Sequence, residues 1–133
     1  STHRYTLFPY TTLFRSTLFE TASEGIWIIG LDGRTTDLNP AMARILGRPR
    51  DGILGRNIFD FVDAANAAIF HDQIRRRQQG SMGSYQIALS RPDGTQVPCL
   101  FNASPLSDAR GERIGSFAMV TDLFRGGVAG LRL

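Results

Sequence analysis

Lysine is absent from this chain: all fifteen basic residues are arginine. GC-rich coding explains such a bias more simply than a binding function does. The single cysteine excludes an internal disulfide framework and a thiolate-built zinc site. It suits a reducing compartment, so a cytoplasmic protein is expected. No apolar run exceeds a few residues, so no membrane-crossing helix is expected. A phosphate-binding glycine loop, a nucleophile elbow and a metal-protease motif are all missing around the Ser, His and Asp residues, and no enzyme is expected. Acid is only slightly scarcer than base, twelve residues against fifteen, a weak excess of +3 for a nucleic-acid binder. What is present is 133 residues, 42% hydrophobic and 20% charged, which fits one globular domain rather than a disordered or collagen-like chain.

The basic excess has a local origin. Residues 1–16 hold two Arg, four aromatics and no acid, a texture unlike everything after Glu20. With no uninterrupted apolar core and no small-residue cleavage site, a secretory signal is a poor explanation for this segment. Thr6 to Ser16 resembles, residue for residue, a one-frame translation of the adapter DNA ligated to fragments for short-read sequencing. Residues 1–16 are therefore expected to be non-native, the alternative being a natural aromatic β-arm. Without them thirteen Arg face twelve acids, a net +1, and the nucleic-acid reading loses most of its support.

Leu18 to Ser23 has helical character. Gly25 to Leu31 is a β-rich apolar run closed by Asp32-Gly33, a tight-turn signal, and Arg34 to Leu38 returns as a second strand. Asn39-Pro40 reads as a helix N-cap followed by proline at the first helical position, with Gly47 as the stop. Asp63 caps a longer helix running to about Gln79, with Gly80 beyond it and Arg75-Arg76-Arg77 favourably placed against the helix dipole. That arginine run reads as a solvated helix end, the alternative being a nucleic-acid contact. Tyr85, Ile87 and Leu89 alternate with polar or small residues, the two-residue period of a strand. Turns at Pro92-Asp93-Gly94 and Asp108–Gly111 separate strands over Val97–Ser104 and Ile114–Asp122. Two strands, a helical block and three antiparallel strands predict an α+β domain, helices packed on one sheet face.

The series Leu18-Phe-Glu-Thr-Ala-Ser-Glu-Gly-Ile-Trp27, Asp32-Gly33-Arg34, Asn39-Pro40-Ala41, Leu54-Gly55-Arg56, Arg91-Pro-Asp-Gly94, Ser104-Pro-Leu-Ser-Asp108 and Met119-Val-Thr-Asp122 resembles a PAS domain, a sensory module of bacterial signalling proteins. The resemblance covers residues 17–123. It implies a PAS-like five-stranded antiparallel sheet whose concave face and flanking helices enclose a small pocket. It further implies coupling to an effector such as a histidine kinase or diguanylate cyclase. Residues 124–133, glycine-rich and without acids, depart from the charged linker usual after such an ending and are expected to be an atypical tail.

Strand alternation anchored to that resemblance turns Trp27, Ile29, Tyr85, Ile87, Leu89, Cys99, Phe101, Ala118 and Val120 toward the pocket, joined by Ile58, Phe61, Ile69, Phe70 and Ile74. The opposite sheet face carries Leu100, Phe117 and Met119, an apolar surface that a helix or a second subunit is expected to cover. The resemblance disfavours a flavin. Ile58 follows Gly55-Arg56-Asn57 where the photoreceptors of the family need a cysteine, and their polar flavin contacts fall on Leu89, Cys99 and Val120. Haem-binding relatives use a histidine on the long helix, where His71 lies; surface or packing histidine is the competing reading. Cys99 reads as a small buried strand residue, or else as a redox thiol.

These readings predict a non-catalytic, signal-relaying module that binds a small molecule in an apolar pocket, forms a homodimer, or both. The alternative is a purely structural dimerisation module with a self-filled core, and a more distant one is a haem-based gas sensor using His71.

Overall fold

The hairpin predicted around Asp32-Gly33 forms as β1 (Gly25–Gly30) and β2 (Thr35–Leu38). The Gly33 N–H donates to the Gly30 carbonyl at 3.0 Å, and Gly33 sits at φ +81°, a backbone that side chains resist. The structure is a computed structural model describing residues 16–123. The adapter-like residues 1–15 and the tail from 124 lie outside the described residues. A short helix α1 (16–21) precedes β1, ending slightly earlier than the sequence pattern suggests.

Asn39 caps α2 (Pro40–Leu46), accepting the Met42 N–H at 3.0 Å, and Gly47 at φ +66° ends it. Two short 3-10 turns, Arg50–Gly52 and Ile58–Phe61, bury Ile58 and Phe61 on the way to α3 (Ala64–Gln78). Asp63 caps α3 through the Asn66 N–H at 2.9 Å; the hydrogen bonds from Asn66 hold its carboxyl below the ordinary carboxylate range. At the far end the Gly80 N–H meets the Arg77 carbonyl at 2.9 Å and the Ser81 N–H meets that of Arg76 at 3.0 Å. Gly80 takes φ +87° there, a left-handed helix end.

The chain then runs as a meander, β3 (Gly83–Ser90), β4 (Gln96–Ser107) and β5 (Arg113–Asp122), and β5 returns beside β1. The result is a five-stranded antiparallel sheet in the order β2-β1-β5-β4-β3, with α2 and α3 on one face. β4 extends past the expected Ser104 because β5 stays paired with it as far as Ser107 and Arg113.

Register places Tyr85 opposite Phe101, Phe101 opposite Val120, and Trp27 opposite Ala118, so these side chains share the helix-covered face. Around them pack Leu38, Met42, Leu46, Ile53, Ile58 and Phe61, each at most 1% exposed. Asn66 ties α3 to the sheet, its Oδ1 accepting the Ala88 N–H at 2.9 Å.

Candidate functional site

Between α3 and the inner face of β1, β4 and β5 lies a cavity of about 20 Å³, room for one or two waters. Eight of the pocket residues expected from the sequence line it: Trp27, Ile29, Ile58, Phe70, Ile74, Tyr85, Phe101 and Ala118. Trp27 meets Phe61 and Phe70 edge-on at centroid distances of 5.8 and 6.4 Å, and Tyr85 stacks on Phe101 at 5.3 Å. The Trp27 indole N–H is held by Thr35 Oγ1 at 3.0 Å, which fixes the ring.

Five other expected pocket residues face inward without reaching the cavity. Phe61, Ile87, Leu89, Cys99 and Val120, none more than 2% exposed, are packed core. The positions where a flavin would need polar partners, Leu89, Cys99 and Val120, are therefore closed and apolar. Burial first, with Asp122 adding to it, pushes the Cys99 thiol up to about 12. Its Sγ donates only a weak 3.4 Å bond to the Val97 carbonyl. Burial likewise raises the Tyr85 phenol above its ordinary range, against the opposing charge of Arg77.

Ile69 corrects the sequence reading. It is 38% exposed and does not line the cavity. The inward stripe of α3 runs through Asn66, Phe70, Gln73, Ile74 and Arg77, and Ile69 lies a hundred degrees of helix turn away from Phe70. His71, on the other side of Phe70, is also exposed; its ring stacks on Phe59 at 4.2 Å and does not line the cavity. The histidine on which the haem alternative rests therefore lies outside this cavity. Among the described residues no three His, Cys, Asp or Glu side chains gather where a metal could sit.

Four lining residues were missed: Gln73, Arg77, Ala103 and Ser116. Arg77 is the consequential one. It was grouped with Arg75 and Arg76 as a solvated helix end, yet only those two are exposed, both bound to Asp72, with Arg76 Nε at 2.9 Å. Arg77 is 3% exposed. Its Nη1 donates to the Ala103 carbonyl at 3.0 Å and its Nη2 to Gln73 Oε1 at 2.6 Å, while its Nε has no partner. Among the described residues no carboxylate pairs with it. A buried donor left unpaired costs on the order of 1–3 kcal/mol, more for a charged group.

A second cavity of about 10 Å³ shares Ile29, Ile74, Arg77 and Ser116 with the first and is also lined by Arg113. Arg113 donates through Nη1 to the Arg77 carbonyl, and its Nε is also buried without a partner. The signal for all four missed residues was periodicity: Arg77 follows Phe70 by seven and Ile74 by three, and Ala103 and Ser116 continue the alternation of Phe101 and Ala118.

On the opposite sheet face Met119 is 37% exposed, with Phe117 and Leu100 half-buried. Phe117 and Met119 line an open groove of about 460 Å³. Among the described residues, no helix is long and apolar enough to cross a membrane.

Fold and cavity together define an α+β domain that keeps its candidate site inside, between one sheet face and a long helix. The family model of the PAS fold matches residues 13–123, and the chain belongs to the PAS family. It is similar to the PAS domain of an HTR-like protein from Haloarcula marismortui, with TM-score 0.77 and 20% identity over 92% of this chain and 99% of that one. A domain of a sensory box sensor histidine kinase/response regulator from Geobacter sulfurreducens gives TM-score 0.65 and 22% identity, covering 84% of this chain and 95% of that one. VqmA of Vibrio cholerae, in a complex with ligand and DNA, gives TM-score 0.70 and 23% identity over 84% of this chain and 50% of that one. Among the curated proteins none matches.

Proposed function

We propose that this PAS domain is a cytoplasmic, non-catalytic sensor: a small molecule enters between α3 and the sheet, and the resulting shift in packing passes to an effector of a longer bacterial signalling protein. The observation that carries the reading is the buried Arg77, whose Nε has no partner and which lines a cavity whose other walls are mostly apolar. A core that served packing alone gains nothing from an unpaired cation. The small volume means that a guest larger than water displaces α3, and a guest-dependent helix position is the kind of differential state that relays a signal. Of the two effectors considered, a histidine kinase or a diguanylate cyclase, the kinase-derived neighbour from Geobacter sulfurreducens supports the first. The ligand named with VqmA supports small-molecule binding, whereas its DNA is not carried over, since the exposed arginines of α3 are already paired with Asp72.

A second reading, a homodimerisation module with a self-filled core, is favoured by the closed cavity and by the apolar outer face at Leu100, Phe117 and Met119. Native mass spectrometry after mild purification, with a thermal-shift screen of small metabolites, separates the two. A retained or stabilising small molecule supports the sensor. A ligand-free dimer that no compound stabilises supports the structural module.

A further inference from the structure

The geometry points to a monocarboxylate with an apolar body as the guest, its carboxylate on the free edge of Arg77 and its body against the aromatic wall. The inference rests on the reading that the cavity admits a small molecule. A guanidinium has five N–H donors; Arg77 spends one on the Ala103 carbonyl and one on Gln73, so Nε–H and one hydrogen on each Nη remain. Nε–H with a neighbouring Nη–H is the edge that a carboxylate grips with both oxygens. One buried cation calls for one negative charge, and the walls of Trp27, Phe70, Tyr85 and Phe101 offer nothing to a polyanion.

The surroundings keep that edge in place. Gln73, one turn back on α3, holds Nη2. Arg113, joined to the Arg77 carbonyl and lining the adjoining cavity, adds a second positive charge nearby, while only Arg77 lines the first cavity.

The test titrates the folded chain with straight-chain monocarboxylates from formate to hexanoate and with benzoate, each beside its neutral amide and beside inorganic phosphate, by calorimetry. At least one acid is expected to bind about tenfold or more tightly than its amide, a factor of the size that one charge-assisted pair supplies. Arg77→Met, in a chain that still unfolds cooperatively, is expected to abolish that preference. In the unaltered chain the Arg77 Nε–H resonance is expected to shift with the acid and not with the amide. Equal binding of acid and amide overturns the carboxylate assignment and leaves the sensor reading standing. So does a preference for phosphate, or a preference that survives Arg77→Met. Binding of neither acid nor amide at millimolar concentrations overturns both.

Discussion

Asn39 uses its amide to capacity. Its Oδ1 accepts the N–H groups of Ile26 and Met42 at 2.8 and 3.0 Å, and its Nδ2 donates to the carbonyls of Phe19 and Glu24 at 3.1 and 3.0 Å. One buried side chain therefore joins α1, β1 and α2. Asn39→Asp keeps the helix cap but points an acceptor at two carbonyls, and is expected to cost about 3 kcal/mol, read as a lower urea midpoint at unchanged slope. The sequence shows the cap, because Asn-Pro before an apolar face has one meaning; the ties to residues far back in the chain have no local signature. Cys99 makes a second prediction at this scale. With its thiol raised from 9.0 to about 12, the folded chain disfavours the thiolate. The unfolded chain ionises first, so this contribution is intact below pH 9.0 and is lost as pH rises through about 12. Alkylation by iodoacetamide at pH 8 is expected to be slow until the chain is unfolded, and Cys99→Ala is expected to flatten the alkaline fall in stability.

At the scale of elements, α3 decides which residues matter. Its inward stripe is narrow, so neighbours in sequence differ sharply in weight. Phe70→Ala, at a 2% exposed ring that meets Trp27, Phe59, Tyr85 and Phe101, is expected to cost about 4 kcal/mol. Ile69→Ser, at a 38% exposed position, is expected to stay within about 0.5 kcal/mol. Urea denaturation of the two variants checks the contrast. The strands were easier to read than this helix because a period of two fixes a face after three residues. On α3, Ile69 and Phe70 are both apolar, and only the positions a turn away resolve which is inside. The outer sheet face carries the dimer proposal: Phe117→Arg is expected to lower the sedimentation coefficient to that of a monomer while the inner face, and hence the melting temperature, changes little.

For the molecule as a whole, the five-stranded antiparallel sheet, the helices on one face and the PAS family itself were legible, because turn glycines, caps and alternation all pointed to the same fold, whereas the strand order was not. The polar end of the cavity was not. Arg77 stands in a run of three arginines, and composition makes such a run look solvated, whereas helix geometry puts one member under the sheet. That burial makes this domain more than an apolar core. Trp27 is the sole tryptophan and lines the cavity, so its emission reports on any guest. The most direct test follows Trp27 fluorescence during titration with the same series, formate to hexanoate and benzoate, of the unaltered chain and of Ala118→Leu, which fills the cavity beside Trp27. The account predicts a saturable change in the first and none in a folded Ala118→Leu chain. No change in either, or the same change in both, would contradict an interior ligand site.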